Sequence, residues 1–278
     1  MLIYEADMLT LMYITNNPDV ALIAQKYGVD RIWIDLEYKG KEERQKGLNS
    51  VKSKHTVQDI KNIAPLITTS KLLVRINPWD NDSVAEIEAV ISAGADMIML
   101  PMWKSVSEVT SFLNAVKGRV PVILLLETKE AVNCLDEVLQ LSGIDEIHIG
   151  LNDLHLSYGY KFMFEPLADG LVESIINKIS ASGIPYGFGG IARIGEGMLP
   201  AESIIMEHYR LKSSMVILSR SFCNAEATND ISEIEKIFSV NLKKLRQFEN
   251  SISDVNHEHF NQNLKTVKSI VNKITSRI

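Results

Sequence analysis

Eight short apolar runs, with helical patterns between them, constrain the fold of this chain more than any other feature. They are LMYIT (11–15), RIWIDLE (31–37), KLLVRIN (71–77), DMIMLP (96–101), PVILLLE (121–127), EIHIGL (146–151), PYGFGG (185–190) and SMVILS (214–219). Each is apolar almost throughout rather than alternating, as a strand covered on both faces should be. Helices fit the gaps. Asp19 to Tyr27 is followed by Gly28, and Ser83 to Ala93 by Gly94, a residue suited to a left-handed helix terminator. Ser105 and Glu108 have the spacing of a capping box ahead of VTSFLNAV. Eight alternating strand–helix units imply a parallel α/β sheet, and eight strands close into a (β/α)8 TIM barrel. A doubly wound open sheet, the alternative, uses fewer strands.

No linker rich in Pro or Gly divides the 278 residues, so the expectation is one barrel domain over 1–278. Two helical patterns follow the eighth strand. Asp230 and Glu233 have capping-box spacing before ISEIEKIFSVNLKKLRQF, and NQNLKTVKSIVNKI sets Leu264, Val267, Ile270, Val271 and Ile274 on one face. A barrel needs one helix there. The last helix of 230–278 is extra, and its apolar stripe is expected to pack on its own barrel or, preferentially, on a neighbouring subunit, making a homo-oligomer.

The formal net charge of −6 argues against a nucleic-acid partner. No apolar run approaches the roughly 20 residues of a membrane span. Cys134 and Cys223 form no disulfide framework, and no Cys/His spacing fits structural zinc. The first residues lack a basic region and a small-residue cleavage site. The expectation is a reduced, cytoplasmic protein with a small-molecule partner.

Strand starts lie 20 to 29 residues apart, except after strands two and six, where the spacings are 40 and 39. Extra residues there fall in loops at the C-terminal face of the barrel, where barrel enzymes hold their active sites. The first insert, KGKEERQKGLNSVKSK (39–54), carries six Lys/Arg against two Glu. It reads either as a solvated loop or as a basic segment that draws in an anionic substrate.

The strand ends supply the candidate chemistry. Strand two ends in Asp35-Leu36-Glu37-Tyr38, strand three in Arg75 and Asn77, and strand four in Pro101. Strand five ends in Glu127-Thr128, and strand six in Asn152-Asp153. Glu127 and Asp153 are on neighbouring strands at similar depth, where two unpaired carboxylates repel and one takes a proton. A hard divalent cation, Mg²⁺ or Mn²⁺, removes that conflict and keeps open positions for a substrate carboxylate and keto oxygen.

Five stretches, VDRIWIDLEY, LLVRINP, GADMIMLPM, LLLETKEAVNCLDEV and GIDEIHIGLNDLHLSYG, run in order from about residue 29 to 159. In them the chain resembles the HpcH/HpaI aldolase and citrate lyase β-subunit family. The resemblance implies a (β/α)8 barrel and a divalent metal held by Glu127 of the ET motif and Asp153 of the NDL motif. It implies contact of Arg75 with a pyruvate-like carboxylate and oxygen, and a C-terminal helix exchanged between subunits. A structural ion pair with Asp35 or Glu37 is the other reading of Arg75. Asp35 or Glu37 is expected to order a water on the metal or the base. Family members acting as hydroxy-keto-acid aldolases carry a general-base His after D-x-E; here that position is Tyr38. His55 is a possible replacement, or a residue that caps the next helix or faces solvent. His148 reads as core, and His155 as a residue that could face the mouth.

The last two strand ends offer Gly187, Gly189, Gly190 and Arg193, then Ser219, Arg220 and Ser221. Loops after strands seven and eight of barrels often bind phosphate through glycine N–H groups, hydroxyls and Arg. Together with Asn152 these residues are the expected substrate or phosphate site, unless the glycines serve a crowded barrel end. The functional expectation is a metal-dependent carbon–carbon lyase or aldolase acting on a 2-keto acid or an anionic, phosphorylated or CoA-linked derivative. A transferase or mutase acting on a phosphoenolpyruvate-type substrate, and a catalytically silent ligand-binding barrel, are the alternatives.

Overall fold

The computed structural model describes residues 8–40, 54–225, 227–228 and 230–278. The basic insert therefore lies almost wholly outside the described residues. Eight parallel strands form a closed barrel in chain order: β1 Thr10–Ile14, β2 Arg31–Asp35, β3 Lys71–Arg75, β4 Met97–Leu100, β5 Val122–Leu126, β6 Glu146–Ile149, β7 Tyr186–Ile191 and β8 Met215–Leu218. All eight apolar runs are strands. The runs overshoot at their C-terminal ends: Glu37, Asn77 and Glu127 stand just past their strands, where the chain opens into the mouth.

Helices cover the outside. They are α1 Pro18–Lys26, α2 Val57–Ile63, α3 Ser83–Ser92, α4 Val106–Val116, α5 Lys129–Asn133 and α6 Leu135–Val138. The second half of the chain adds α7 Leu151–Tyr158, α8 Glu165–Ala168, α9 Leu171–Ser182, α10 Ala201–Arg210, α11 Ile231–Ile252 and α12 His257–Thr275. The long spacing after strand six is therefore three helices, not a loop. Ser105 caps α4 by accepting from Glu108 N, but Glu108 turns its carboxylate to Lys104 N, so only half of that box forms. Asp230 caps α11 in the same one-sided way. The complete box is Thr56–Asp59 at α2.

Strand alternation sorts the core into two parts. Outward residues such as Ile32, Ile98, Leu124 and Ile147 pack under the helices. Inward residues Met12, Trp33, Leu73, Met97, Met99, Ile123, Leu125 and Met215 fill the barrel as a separate cluster. Its floor is an ion pair across the lumen: Arg31 Nη1 and Nη2 donate to the two carboxylate oxygens of Glu146 at 2.5 and 2.6 Å. Among the described residues the barrel is thus closed at the N-terminal ends of its strands.

The stripe on α12 is covered by the chain itself. Val267 and Val271 are buried, and Asn263 Nδ2 donates to Ser203 O at 2.9 Å and to Glu207 at 2.8 Å, both on α10. Exchange of α12 between two copies would reproduce these same contacts. Buried Glu249 of α11 accepts from Leu9 N at 2.9 Å and from Tyr209 of α10 at 3.1 Å, tying the start of β1 to these two helices.

Candidate active site

The top inner layer of the barrel is charged. Asp35 ends β2 and Arg75 ends β3, and the two are register partners. Arg75 Nε and Nη2 each donate to one oxygen of Asp35 at 2.8 Å, and Nη1 lies 3.3 Å from Glu37. Asp35 and Glu37 are each 2% exposed. Beneath them the Arg75 guanidinium sits 5.1 Å from the ring centre of Trp33, a cation–π contact that closes the floor of the layer. Burial works against the charge on Arg75. The carboxylates of Asp35 and Glu37, with Glu127 further off, more than offset it and raise the Arg75 pKa. The ion-pair reading of Arg75 is therefore part of the structure. These contacts engage three of its five N–H groups.

Glu127 faces this pair from β5. Met102 N donates to its Oε1 at 3.1 Å. Met102 reaches it from the end of β4 in a left-handed conformation, φ 52°, that a side chain adopts only under local constraint. Gly150 N is bonded to Leu126 O, so Gly150 lies beside Glu127, and a Cβ there would come within 2.8 Å of Glu127 Oε2. Only glycine leaves room for the carboxylate. Burial first, then the charges of Asp153 and Glu37, push the Glu127 carboxyl well above its ordinary value; Arg75 and the Met102 N–H pull the other way.

Asp153 is not on a strand end but in the first turn of α7, which starts one residue after the Gly150 cap. An acidic side chain there also complements the helix dipole. The arrangement thus sets three carboxyls, Asp35, Glu37 and Glu127, around one guanidinium, with Asp153 acting on Glu127. That imbalance of hard oxygen donors is what a divalent cation satisfies. Among the described residues no cluster of three or more His, Cys, Asp or Glu takes ligand geometry; Glu127 and Asp153 are a pair of carboxyls close enough that Asp153 raises the cost of charging Glu127.

Other expected residues are elsewhere. Tyr38 is 63% exposed, and its backbone N, with Lys39 N, is held by Asn77 Oδ1 at 3.0 and 3.1 Å. His55 meets the site through a hydrogen bond from Asp35 N to its Nδ1 at 3.0 Å. The helix cap is Thr56, not His55. His148 is core as expected; Nε2 meets Gly189 O at 3.2 Å, and burial lowers its pKa to about 3. His155 is buried, with Nδ1 on Leu151 O at 3.2 Å.

Of the expected phosphate-site residues, Gly190 and Ser219 lie together at the β7–β8 end, where Ser219 N donates to Ile191 O at 2.9 Å. Gly189 and Gly190 lie inside β7. Gly189 has φ +54°, and a Cβ on it would meet Leu151 at 2.8 Å; one on Gly190 would meet Ile217 O at 3.2 Å. Their smallness serves the irregular β7–β8 pairing and the seat of α7. Arg193 donates to Glu196, Arg220 and Asn152 are exposed, and Ser219 closes the turn after β8 by bonding Phe222 N at 2.8 Å. Sequence reasoning placed Asn77 at a strand end without its role, and missed Met102 and Gly150. Their contributions are a loop clamp, a backbone N–H and an absent side chain, none of which has a motif; the run DMIMLP pointed only to Pro101.

The HpcH/HpaI aldolase/citrate lyase family model matches residues 9–183. A 2-keto-3-deoxy-L-rhamnonate aldolase of Escherichia coli (strain K12) is 30% identical over 100 residues, which is 36% of this chain and 36% of that protein. The match thus spans little more than a third of that relative's length. The crystal structure of an HpcH/HpaI aldolase from Desulfitobacterium hafniense DCB-2 superimposes with TM-score 0.58 at 17% identity, covering 90% of this chain and 94% of that one. The CitE protein of Mycobacterium tuberculosis, solved with magnesium and acetate, gives TM-score 0.57 at 14% identity over 87% of this chain and 96% of that one. Those two share the fold. The match from β1 through α9 carries more, because it spans well over half the chain and includes every charged residue of the top layer. The chain belongs to the HpcH/HpaI aldolase/citrate lyase family.

Proposed function

We propose that this protein is a metal-dependent carbon–carbon lyase of the aldol type, acting on a 2-keto acid or an anionic derivative of one. The observation that carries the reading is the buried Glu127 carboxyl, crowded by Asp153 and Glu37 and balanced by a single guanidinium. Glu127 and Asp153 are the residues that would hold Mg²⁺ or Mn²⁺; when bound, the ion supplies a Lewis acid for the enolate charge that carbon–carbon cleavage develops. The mycobacterial relative solved with magnesium and acetate supports an oxygen-donor site of this kind.

The chain's own residues do the rest. Asp35 fixes the plane of the Arg75 guanidinium through two bonds. Its remaining N–H groups are fixed donors for the substrate carboxylate and the oxygen on which negative charge grows. Because Arg75 is oriented before substrate arrives, the reaction costs little reorganisation there. Trp33 and the methionines below exclude water from the underside. The test is exchange of pyruvate methyl protons for deuterium, followed by proton NMR. Exchange that requires Mg²⁺ or Mn²⁺ and stops on chelation is expected. No exchange with either ion contradicts the reading.

A further inference from the structure

Asn77 stands two residues past Arg75 and is 3% exposed. Its Oδ1 accepts from Tyr38 N at 3.0 Å and from Lys39 N at 3.1 Å. On its other side Nδ2 donates to Glu86 Oε1 at 2.7 Å, and the Asn77 main-chain N donates to Glu86 Oε2 at 3.1 Å. Backbone N–H groups only donate and a carboxylate only accepts, so these partners allow the amide one orientation. Glu86 lies in the first turn of α3 and is half-buried. Burial pushes its pKa up; the two Asn77 donors and the charge of Lys39 hold it down, and Asp80 adds to the rise.

These bonds prolong the pairing of β2 with β3. Leu36 N donates to Arg75 O at 2.9 Å, just past the register pair Asp35–Arg75. In a parallel ladder the next rung runs from Tyr38 N to the carbonyl of Asn77, two residues on along each strand. Here the side-chain Oδ1 takes the place of that carbonyl. An ordinary rung would join only the two strand ends; this one also ties them to α3 through Glu86. Glu37 is bracketed by it. The N–H groups of Leu36 and Tyr38 on either side are bound, and its own donates to Asp35 Oδ1 at 3.2 Å. Between Arg75 and Asn77, Ile76 N donates to Met99 O at 3.1 Å. The Glu37 carboxylate and the Arg75 guanidinium, 3.3 Å apart, thus hang from backbone that Asn77 and Glu86 hold.

We propose that Asn77 and Glu86 are positioning residues for this site: their side-chain pair sets the spacing of the β2 and β3 ends, and with it the aim of Arg75 and Glu37 at the bound 2-keto acid. The inference rests on the proposed function above. It requires that the pair can be reversed. Asn77→Asp alone sets two carboxyls against each other where a 2.7 Å bond was, and Glu86→Gln alone turns an N–H of the new amide toward a donor of Asn77. Combined, the two substitutions restore every bond. The amide on α3 then donates, the carboxylate at position 77 accepts, and the main-chain N–H groups of positions 38, 39 and 77 keep their acceptors.

The experiment compares wild type, both single variants and the double variant in three ways: amide hydrogen exchange at Tyr38 and Lys39, Mg²⁺ affinity by calorimetry, and kcat for the Mg²⁺-dependent exchange of pyruvate methyl protons. Each single variant should exchange its Tyr38 and Lys39 amides faster. Its kcat should fall at least about tenfold, since a misplacement of about 1 Å costs on the order of a hundredfold. Mg²⁺ affinity should stay at the wild-type value, because Glu127 and Asp153 stand at β5 and α7; a general loss of structure would lower it as well. The double variant should regain most of the lost kcat and the amide protection. Should Asn77→Asp fail to fold, Glu86→Gln and the double variant carry the same comparison. Wild-type kcat in the single variants, Mg²⁺ affinity that falls in step with kcat, or a double variant no better than the single ones overturns the inference alone. If wild type shows no metal-dependent exchange, the functional reading itself fails and this inference falls with it.

Discussion

At the scale of single residues, the site is legible where a side chain bears charge and silent where the backbone does the work. Glu127 stands out because a hydrophobic strand has no structural reason to run into a carboxylate, and Asp153 because a second carboxylate follows the next apolar run. The partners that shape Glu127 are Met102 N and the bare face of Gly150, and neither backbone donors nor missing side chains leave a pattern in a sequence. Arg75 tests the energetics of the layer. Arg75→Leu strips the counter-charge from two carboxyls that are each 2% exposed, and breaking a buried pair from one side costs about 3–5 kcal/mol. Arg75→Lys keeps the charge but not the fork, so stability should largely survive while pyruvate exchange falls at least about tenfold. Urea unfolding and the exchange assay on both variants check this. A Lys variant with undiminished exchange would show that the planar fork has no role.

At the scale of elements, the eight strands were legible because both faces of each are buried, which writes continuous apolar runs. Their last residues were not, since pairing stops where the chain must turn into the mouth, and apolarity does not mark that point. Asp153 shows the consequence: its place is the first turn of α7, set by the Gly150 cap. The glycines of β7 leave two readings open in the sequence for a physical reason. A glycine that makes room for an anion and one that makes room for Leu151 look alike until the neighbour is seen. Gly150→Ala is the sharpest test of the element junction. Its φ of −81° suits alanine, so the effect is steric: the new methyl meets Glu127 Oε2 at 2.8 Å and Leu125 at 3.2 Å. Displacing the carboxylate should weaken Mg²⁺ or Mn²⁺ binding at least about tenfold with a stability loss on the order of 1–3 kcal/mol. Calorimetric titration of metal into the variant measures it, and unchanged affinity would remove Glu127 as a ligand.

At the scale of the whole molecule, the barrel is sealed below by Arg31–Glu146 and carries two uncharged histidines in its wall. His148 is lowered to about 3 by burial, and His208, stacked on Phe188 at 3.8 Å, is also lowered by burial. Both stay neutral in the native state while the unfolded chain takes up protons below its ordinary histidine value of 6.5. Their contribution is therefore complete above about pH 6.5 and is lost as pH falls below it, for His148 down to about 3. His208→Asn should lessen the loss of unfolding free energy as pH falls below about 6.5; an unaltered slope would show that His208 titrates normally. In the metal-free protein Glu127 has the opposite sign. Its raised value adds stability at low pH that fades as pH rises through it, and metal binding, which needs the carboxylate, should strengthen over the same rise. The measurement that bears most directly on the central claim is a thermal-unfolding titration with Mg²⁺ or Mn²⁺, with and without oxalate, on wild type, Glu127→Gln and Asp153→Ala. Metal at about a hundredfold excess over Kd should stabilise wild type by about 2.7 kcal/mol. Oxalate should add to that only with metal present, and both variants should respond to neither. Equal metal response in wild type and the two variants, or none in wild type, would contradict a site built on these two carboxylates.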